Sequence, residues 1–187
     1  PDLELDRIGE AAMVHLTGIT PALSPTARAA SFAAAEAARA AGVRVSLDLN
    51  YRSKLWGPEE AGPILRALVA QSDVVFAGPD EARLVLGASA DDPDADVARL
   101  LQALGPQEII IKDGERGARS RCADEAFTQA PTPVNVIDPV GAGDAFVAAY
   151  LAQSLKGVPP ADRLALASRA GAFAVATQGD CEGLATE

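Results

Sequence analysis

Asp138-Pro139-Val140-Gly141-Ala142-Gly143-Asp144-Ala145-Phe146 joins a β-like run, Pro133 to Ile137, to a continuous helix former from Ala145 to Leu155. The run Pro-Val-Asn-Val-Ile predicts a strand that ends at the turn. Small residues at Gly141, Ala142 and Gly143 let main-chain N–H groups come close to a ligand. A helix N-terminus adds unpaired donors and the positive end of its dipole. Together they make a phosphate or oxyanion site. Asp144, in the first turn, is placed to take a proton from an attacking hydroxyl. A plain strand-to-helix turn, whose aspartate only complements the dipole, would have the same local sequence. No Gly-x4-Gly-Lys-Ser/Thr loop occurs, and Phe146 stands where a dinucleotide fingerprint needs its third glycine.

Upstream of the turn, strand and helix patterns alternate. Strands are expected at Ala12–Thr17, Val43–Leu49, Asp73–Ala77 and Glu108–Lys112. Ser24 and Pro25 open an alanine-rich helix that runs to about Ala41 and stops at Gly42. A second helix starts at Gly57-Pro58 and runs to about Gln71, with Pro63 as a candidate disturbance. A short helix begins at Pro79 and ends at Gly87; an acidic loop, Asp91 to Asp96, precedes a helix from Val97 to Leu104. A hairpin is expected through Cys122 and Phe127, and a last helix from about Ala161 to Thr177. Val-, Ile- and Leu-rich strands between helices imply an α/β layered fold with a mostly parallel sheet covered on both faces.

Ligands of open α/β sheets bind outside the carboxyl ends of the strands. The unusual residues fall there: Asp48-Asn50-Arg52, Gly78-Glu81, Lys112-Gly114 and Gly141 to Asp144. Turn chemistry alone accounts poorly for four such clusters, and their convergence favours a phosphate-handling site.

The chain of 187 residues is 49% hydrophobic, enough for one core, so a single domain over 1–187 is expected. Its net charge of −10 argues against nucleic acid or an anionic membrane as partner. No apolar run of about 18 residues occurs, and Pro1-Asp2-Leu3-Glu4 does not read as part of a basic, apolar leader. Cys122 and Cys181 lack metal-ligand spacing, which suits free thiols in a reducing cytosol. The single histidine, His15, lies in an apolar run and reads as a packed strand residue. A His-cluster metal site or a Ser-His-Asp triad therefore has little support, and carboxylate chemistry remains.

The Asp138–Phe146 segment resembles the C-terminal signature of the ribokinase-like (PfkB) sugar kinases. Ile111-Lys112-Asp113-Gly114-Glu115-Arg116-Gly117-Ala118 resembles that family's nucleotide-side turn, in the right order and spacing. Asp48-Leu49-Asn50-Tyr51-Arg52 followed by Leu55-Trp56 is similar to 2-keto-3-deoxygluconate kinases and to fructokinases, with Tyr51 more like the former. By this resemblance Asp144 is the general base for the sugar's primary hydroxyl, and Gly141, Ala142 and Gly143 hold the transferring γ-phosphoryl group. Arg52 faces the substrate, where its fork suits a carboxylate; Asn50 and Asp48 order that loop. Lys112, Gly114 and Gly117 lie by the nucleotide phosphates, and Ser168 lies in the adenine pocket. The small residues Ala170 to Ala172 fit either that pocket or close helix packing. ATP and Mg²⁺ are the implied cofactors, with Glu81 acting on Mg²⁺ through water. K⁺ is a further candidate, at the backbone of Asp138 and Val140.

Two departures from the family pattern stand out. Gly78 replaces the asparagine of its Asn-x-x-Glu motif while Glu81 is kept. The resemblance also implies that the chain starts roughly a third of the way into such a kinase, without the amino-terminal substrate segment and lid, through which these kinases often dimerise. A cytoplasmic sugar or sugar-acid kinase, most like 2-keto-3-deoxygluconate kinase, is the leading expectation. A fructokinase or other neutral-sugar kinase, and a nucleotide-binding module without catalysis, are the alternatives.

Overall fold

A computed structural model describes residues 4–87 and 96–179. They form two compact units, divided between Ile111 and Lys112. The first is a βα repeat: β1 (Met13–Thr17), α1 (Thr20–Leu23), α2 (Pro25–Ala40), β2 (Arg44–Asp48), α3 (Pro58–Val69), β3 (Val74–Ala77), α4 (Pro79–Leu86), α5 (Val97–Gln102) and β4 (Glu108–Lys112), whose last residue, Lys112, already belongs to the second unit. A single 3-10 stretch, Leu5–Glu10, precedes β1. The four strands lie side by side in chain order, all parallel, with Leu16 opposite Leu47, Leu47 opposite Val75 and Val75 opposite Ile109.

Local signals explain the boundaries. Ser24 caps α2, its Oγ accepting from the Ala27 amide at 3.1 Å, and Pro25 takes the first helical position. Gly42 (φ 71°) and Gly87 (φ 64°) supply left-handed conformations where α2 and α4 stop. Helix α3 continues through Pro63, an interior position where the missing N–H forfeits one bond to the carbonyl four residues back. Asp73 Oδ2 accepts from the Val45 amide at 2.7 Å, and its own amide donates to Val45 O, so this residue ties the start of β3 to β2.

Side chains alternate in role across the strands. Leu47, Val75, Ile109 and Ile111 enter one core with Leu65 and Leu68 of α3, Val85 of α4 and Leu101 of α5. Val45 packs with Ala35 and Ala38 of α2 and with the half-buried Val14 of β1. The opposite set, Val74, Phe76 and Ile110, is also fully buried. Strands β3 and β4 are thus apolar on both faces, as parallel strands inside a layered fold are.

The second unit holds an antiparallel hairpin, β5 (Ala118–Cys122) and β6 (Glu125–Gln129), and two helices, α6 (Ala142–Leu155) and α7 (Pro160–Val175). Phe146 and Tyr150 of α6 stack with ring centroids 6.5 Å apart. From α7, Arg163 lies 5.4 Å over the Tyr150 ring and donates to Ser154 Oγ at 2.9 Å. Gly171 brings α7 against the first residue of α6: a Cβ there would stand 3.1 Å from Ala142 O. The small-residue segment of α7 is therefore a close helix contact.

Two expectations are corrected. Pro133–Ile137 is not a strand. Pro131 and Pro133 have no N–H to give a ladder, and the segment is tied instead through the Ile137 amide to Val175 O at 2.7 Å. Val136 and Ile137 are exposed. His15 is exposed rather than packed, because β1 is flanked by a strand on one side only within its unit; its Nδ1 is 2.9 Å from Ser46 Oγ on β2. Of the acidic loop, positions 91–95 lie outside the described residues, while Asp96 caps α5 through the Arg99 amide at 3.1 Å. Cys122 is half-buried in β5, and Cys181 lies outside the described residues.

Candidate functional site

In the second unit the site is built on the mouth of α6. Gly141, in the left-handed region at φ 79°, turns the chain into the helix, and no side chain caps it. The first amides of a helix have no partner within it, so those of Ala142, Gly143 and Asp144 face outward with the dipole behind them. Gly143 and Asp144 are exposed, whereas Ala145, Phe146 and Val147 just beyond are buried. The helix is anchored by its inner residues and presents its first turn bare.

Lys112, the last residue of β4, reaches this turn. Its Nζ lies 3.7 Å from where a Cβ on Gly143 would stand. The arrangement sets an ammonium beside a helix N-terminus, an open surface at the glycine between them and a carboxylate within the same turn. Bare donors, a cation and room for main-chain approach suit a phosphoryl group.

The segment before the turn is fixed by Asp138. Its Oδ1 accepts from the Val140 amide at 3.0 Å and its Oδ2 from the Gly179 amide at 3.3 Å. The Asp113–Gly117 turn is closed in a similar way. The Asp113 amide donates to Gly117 O at 2.9 Å, and Arg116 grips the Asp113 carboxylate with two bonds, of 3.0 and 2.6 Å. Gly114 (φ 53°) and Gly117 (φ 87°) both take conformations that favour glycine. At Gly117 a Cβ would also run into Gln129 O. Ser168 sits on α7 one turn before Gly171, and its Oγ is buried with no hydrogen-bond partner among the described residues.

In the first unit the ends of β2 and β3 are joined directly. Asn50 adopts φ 37°, a conformation asparagine tolerates better than most residues. Beyond it the Tyr51 amide donates to Glu81 Oε1 at 2.7 Å, and Glu81 Oε2 accepts from the Gly78 amide at 2.6 Å. The Tyr51 hydroxyl donates to Trp56 O at 3.1 Å, with Trp56 itself buried. Arg52 is exposed, its guanidinium 3.5 Å from Tyr51 O. Asp48 is buried, and its carbonyl accepts from the Gly18 amide at 2.9 Å.

The four clusters read at the strand ends therefore form two bonded or touching pairs: Asn50-Arg52 with Gly78-Glu81, and Lys112 with Gly143. Sequence reasoning missed the double bond of Glu81, the Tyr51–Trp56 tie and the Asp113–Arg116 grip. Only the last had a local signal, opposite charges three residues apart beside a glycine. Among the described residues no three His, Cys, Asp or Glu side chains gather as a metal site, and no helix is long and apolar enough to cross a membrane.

Known proteins resemble this chain along most of its length. The pfkB family carbohydrate kinase profile matches residues 2–187. The chain is 37% identical over 186 residues to a 2-dehydro-3-deoxygluconokinase of Thermoproteus tenax, covering 98% of this chain and 55% of that protein. It is 33% identical over 179 residues to a 2-dehydro-3-deoxygalactonokinase of Haloferax volcanii, covering 96% and 56%. A fructokinase of Klebsiella pneumoniae is also 33% identical, over 173 residues, covering 89% and 55%. The crystal structure of a 2-dehydro-3-deoxygluconokinase from Thermotoga maritima superposes with a TM-score of 0.88 at 26% identity, over 97% of this chain and 60% of that one. An Escherichia coli putative ribokinase II in complex with ATP and Mg²⁺ gives the same score and identity, over 98% and 58%. The chain thus spans little more than half the length of these relatives. With the profile matched along nearly all of it, the chain belongs to the pfkB family of carbohydrate kinases.

Proposed function

We propose that this chain carries the phosphoryl-transfer portion of an ATP-dependent kinase acting on the primary hydroxyl of a sugar acid, 2-keto-3-deoxygluconate, to give its 6-phosphate. One observation carries the reading: the bare mouth of α6 has the Lys112 ammonium beside Gly143 and the exposed Asp144 carboxylate in the same turn. Phosphoryl transfer needs little covalent help from protein; it needs positioning and neutralisation of spread negative charge. The amides of the Gly141–Gly143 turn and Lys112 hold the phosphoryl oxygens. Asp144 takes the hydroxyl proton as that oxygen bonds to the γ-phosphorus, and the bond to ADP breaks. The adenosine end is assigned to the Gly114–Gly117 turn and to Ser168, whose buried hydroxyl has no protein partner among the described residues.

Mg²⁺ supplies charge neutralisation across the phosphate oxygens when bound. The described residues offer it no three-ligand cage, so Mg²⁺ would arrive largely with ATP. A monovalent cation would depend on the carbonyls of Asp138 and Val140, since the Asp138 carboxylate already accepts two amides.

The acid substrate rests on Arg52, an exposed guanidinium on a fixed loop, and on the two relatives named for keto-deoxy sugar acids. The fructokinase relative supports a second reading, a neutral hexose. The deciding experiment measures ATP consumption with Mg²⁺ on 2-keto-3-deoxygluconate, fructose and ribose. Asp144→Asn should lower kcat about 10²- to 10⁴-fold while ATP affinity is held; undiminished turnover refutes the base assignment. Arg52→Ala should raise KM for the acid far more than for fructose, and equal effects select the neutral-sugar reading. ATP binding with no turnover on any sugar selects a non-catalytic nucleotide module.

A further inference from the structure

We propose that Glu81 is a positioning residue: its carboxylate holds the substrate-side loop in place by bonding two main-chain amides from different strand ends, those of Tyr51 and Gly78. The proposal rests on the kinase reading for its kinetic consequence, though not for its structural one. The bonds, 2.7 Å from Tyr51 and 2.6 Å from Gly78, have the short lengths of charge-assisted hydrogen bonds. The two donors are 27 residues apart, yet both converge on one carboxylate in the first turn of α4, where the helix dipole favours negative charge.

A cap for α4 needs only one of these bonds. The reverse half of a reciprocal capping box requires a side chain at the N-cap, and Gly78 has none. The second oxygen reaches out of its own motif to the loop after β2. That loop leaves the sheet at Asn50, whose φ of 37° reverses the chain so that the next amide meets the carboxylate. Tyr51 is then held twice, by its amide to Glu81 and by its hydroxyl to Trp56 O at 3.1 Å. Trp56 is buried and packs within the core. Arg52 follows immediately, with its backbone origin fixed and its side chain exposed. Glu81 therefore sets where the substrate-facing guanidinium starts from.

The test is Glu81→Gln in the full protein, with Tyr51→Phe as a control that keeps the amide bond. Glutamine keeps one accepting oxygen and puts an NH₂ where the other was, so only one of the two amides keeps its acceptor. Amide hydrogen exchange followed by NMR should speed up about ten- to a hundredfold at Tyr51 or Gly78. In Tyr51→Phe, protection at position 51 should remain. In turnover, Glu81→Gln should raise KM for the sugar about tenfold or more while KM for ATP stays within about twofold, with no recovery as Mg²⁺ is increased. Unchanged exchange at both amides overturns the proposal. So does an activity loss restored by extra Mg²⁺, which would place Glu81 on the metal. A parent protein inactive on every sugar would refute the kinase reading alone, and the exchange measurement would still decide the clamp.

Discussion

Gly143→Ala separates what the mouth of α6 does for folding from what it does for a phosphate. Gly143 is the second residue of a fourteen-residue helix, and its φ is not in the left-handed region. Alanine is therefore compatible with the backbone. The added methyl would meet one group, the Lys112 Nζ at 3.7 Å, an ordinary contact with the far end of a flexible side chain. Glycine inside a helix costs about 0.5–1 kcal/mol relative to alanine, and so near the end the lower figure applies. The variant should then be as stable as the parent or more so, with Tm higher by about 1–2 °C for a chain of this size. The same methyl occupies the surface across which phosphoryl oxygens would approach the amides. Losing one such donor costs about 10²- to 10³-fold in kcat. Thermal melts followed by circular dichroism and ATP-consumption kinetics read the two effects on one sample, with opposite signs expected. A kcat within about threefold of the parent, against that loss of a donor, would refute the phosphate assignment. A stability loss above about 1 kcal/mol, where helix propensity alone predicts a gain, would show that Gly143 serves packing instead. Gly141→Ala cannot make this separation, because φ 79° penalises alanine by about 1–2 kcal/mol in any case.

Gly18→Ala should cost about 3 kcal/mol, read as a lower urea midpoint. Its Cβ would collide with the carbonyl of Leu49, a main-chain group unable to rotate aside, and would disturb the Gly18–Asp48 bond; a midpoint equal to the parent's refutes the close approach. Gly78→Asn should be neutral or stabilising by a few tenths of a kcal/mol, since φ −78° and ψ 163° accept any residue and its Cβ would stand 3.4 Å from Glu81 Oε2. A fall of the melting temperature by several degrees would show that the asparagine is excluded from this chain on steric grounds.

What the sequence made legible was local in origin. Ser24 before Pro25, Gly42 after the alanine run and Gly87 after Leu86 each act through their own backbone, so they mark helix ends wherever they fall. Strand β4 and the β5–β6 hairpin were equally readable, from an apolar run bounded by polar residues and from a turn between two short runs. Pro133–Ile137 has the apolar alternation of a strand, but a strand is defined by its partner, and two prolines in and beside the segment withhold donors that a partner would need. His15 misled for a related reason. An apolar neighbourhood in sequence says which residues avoid water, not whether a strand has neighbours on both sides.

The candidate residues were read from their place at strand ends; the bonds that fix them were invisible, being long-range. The two units share a division of labour that accounts for this. In each, a charged side chain of the proposed site stands exposed on a mount held by main-chain bonds and burial: Asp144 on a helix anchored by Phe146 and Tyr150, and Arg52 on a loop anchored by Glu81 and Trp56. Positioning dominates phosphoryl transfer, so rigidity belongs in the mount, while the charged tip stays open to the ligand. Local sequence names the tip, because its residue type is dictated by chemistry. The mount is any set of groups that meets the right amide, and an acidic residue in a helix's first turn already has a sufficient local reason to be there. Glu81 has both reasons, and only the fold, which brings the Tyr51 amide to it, reveals the second.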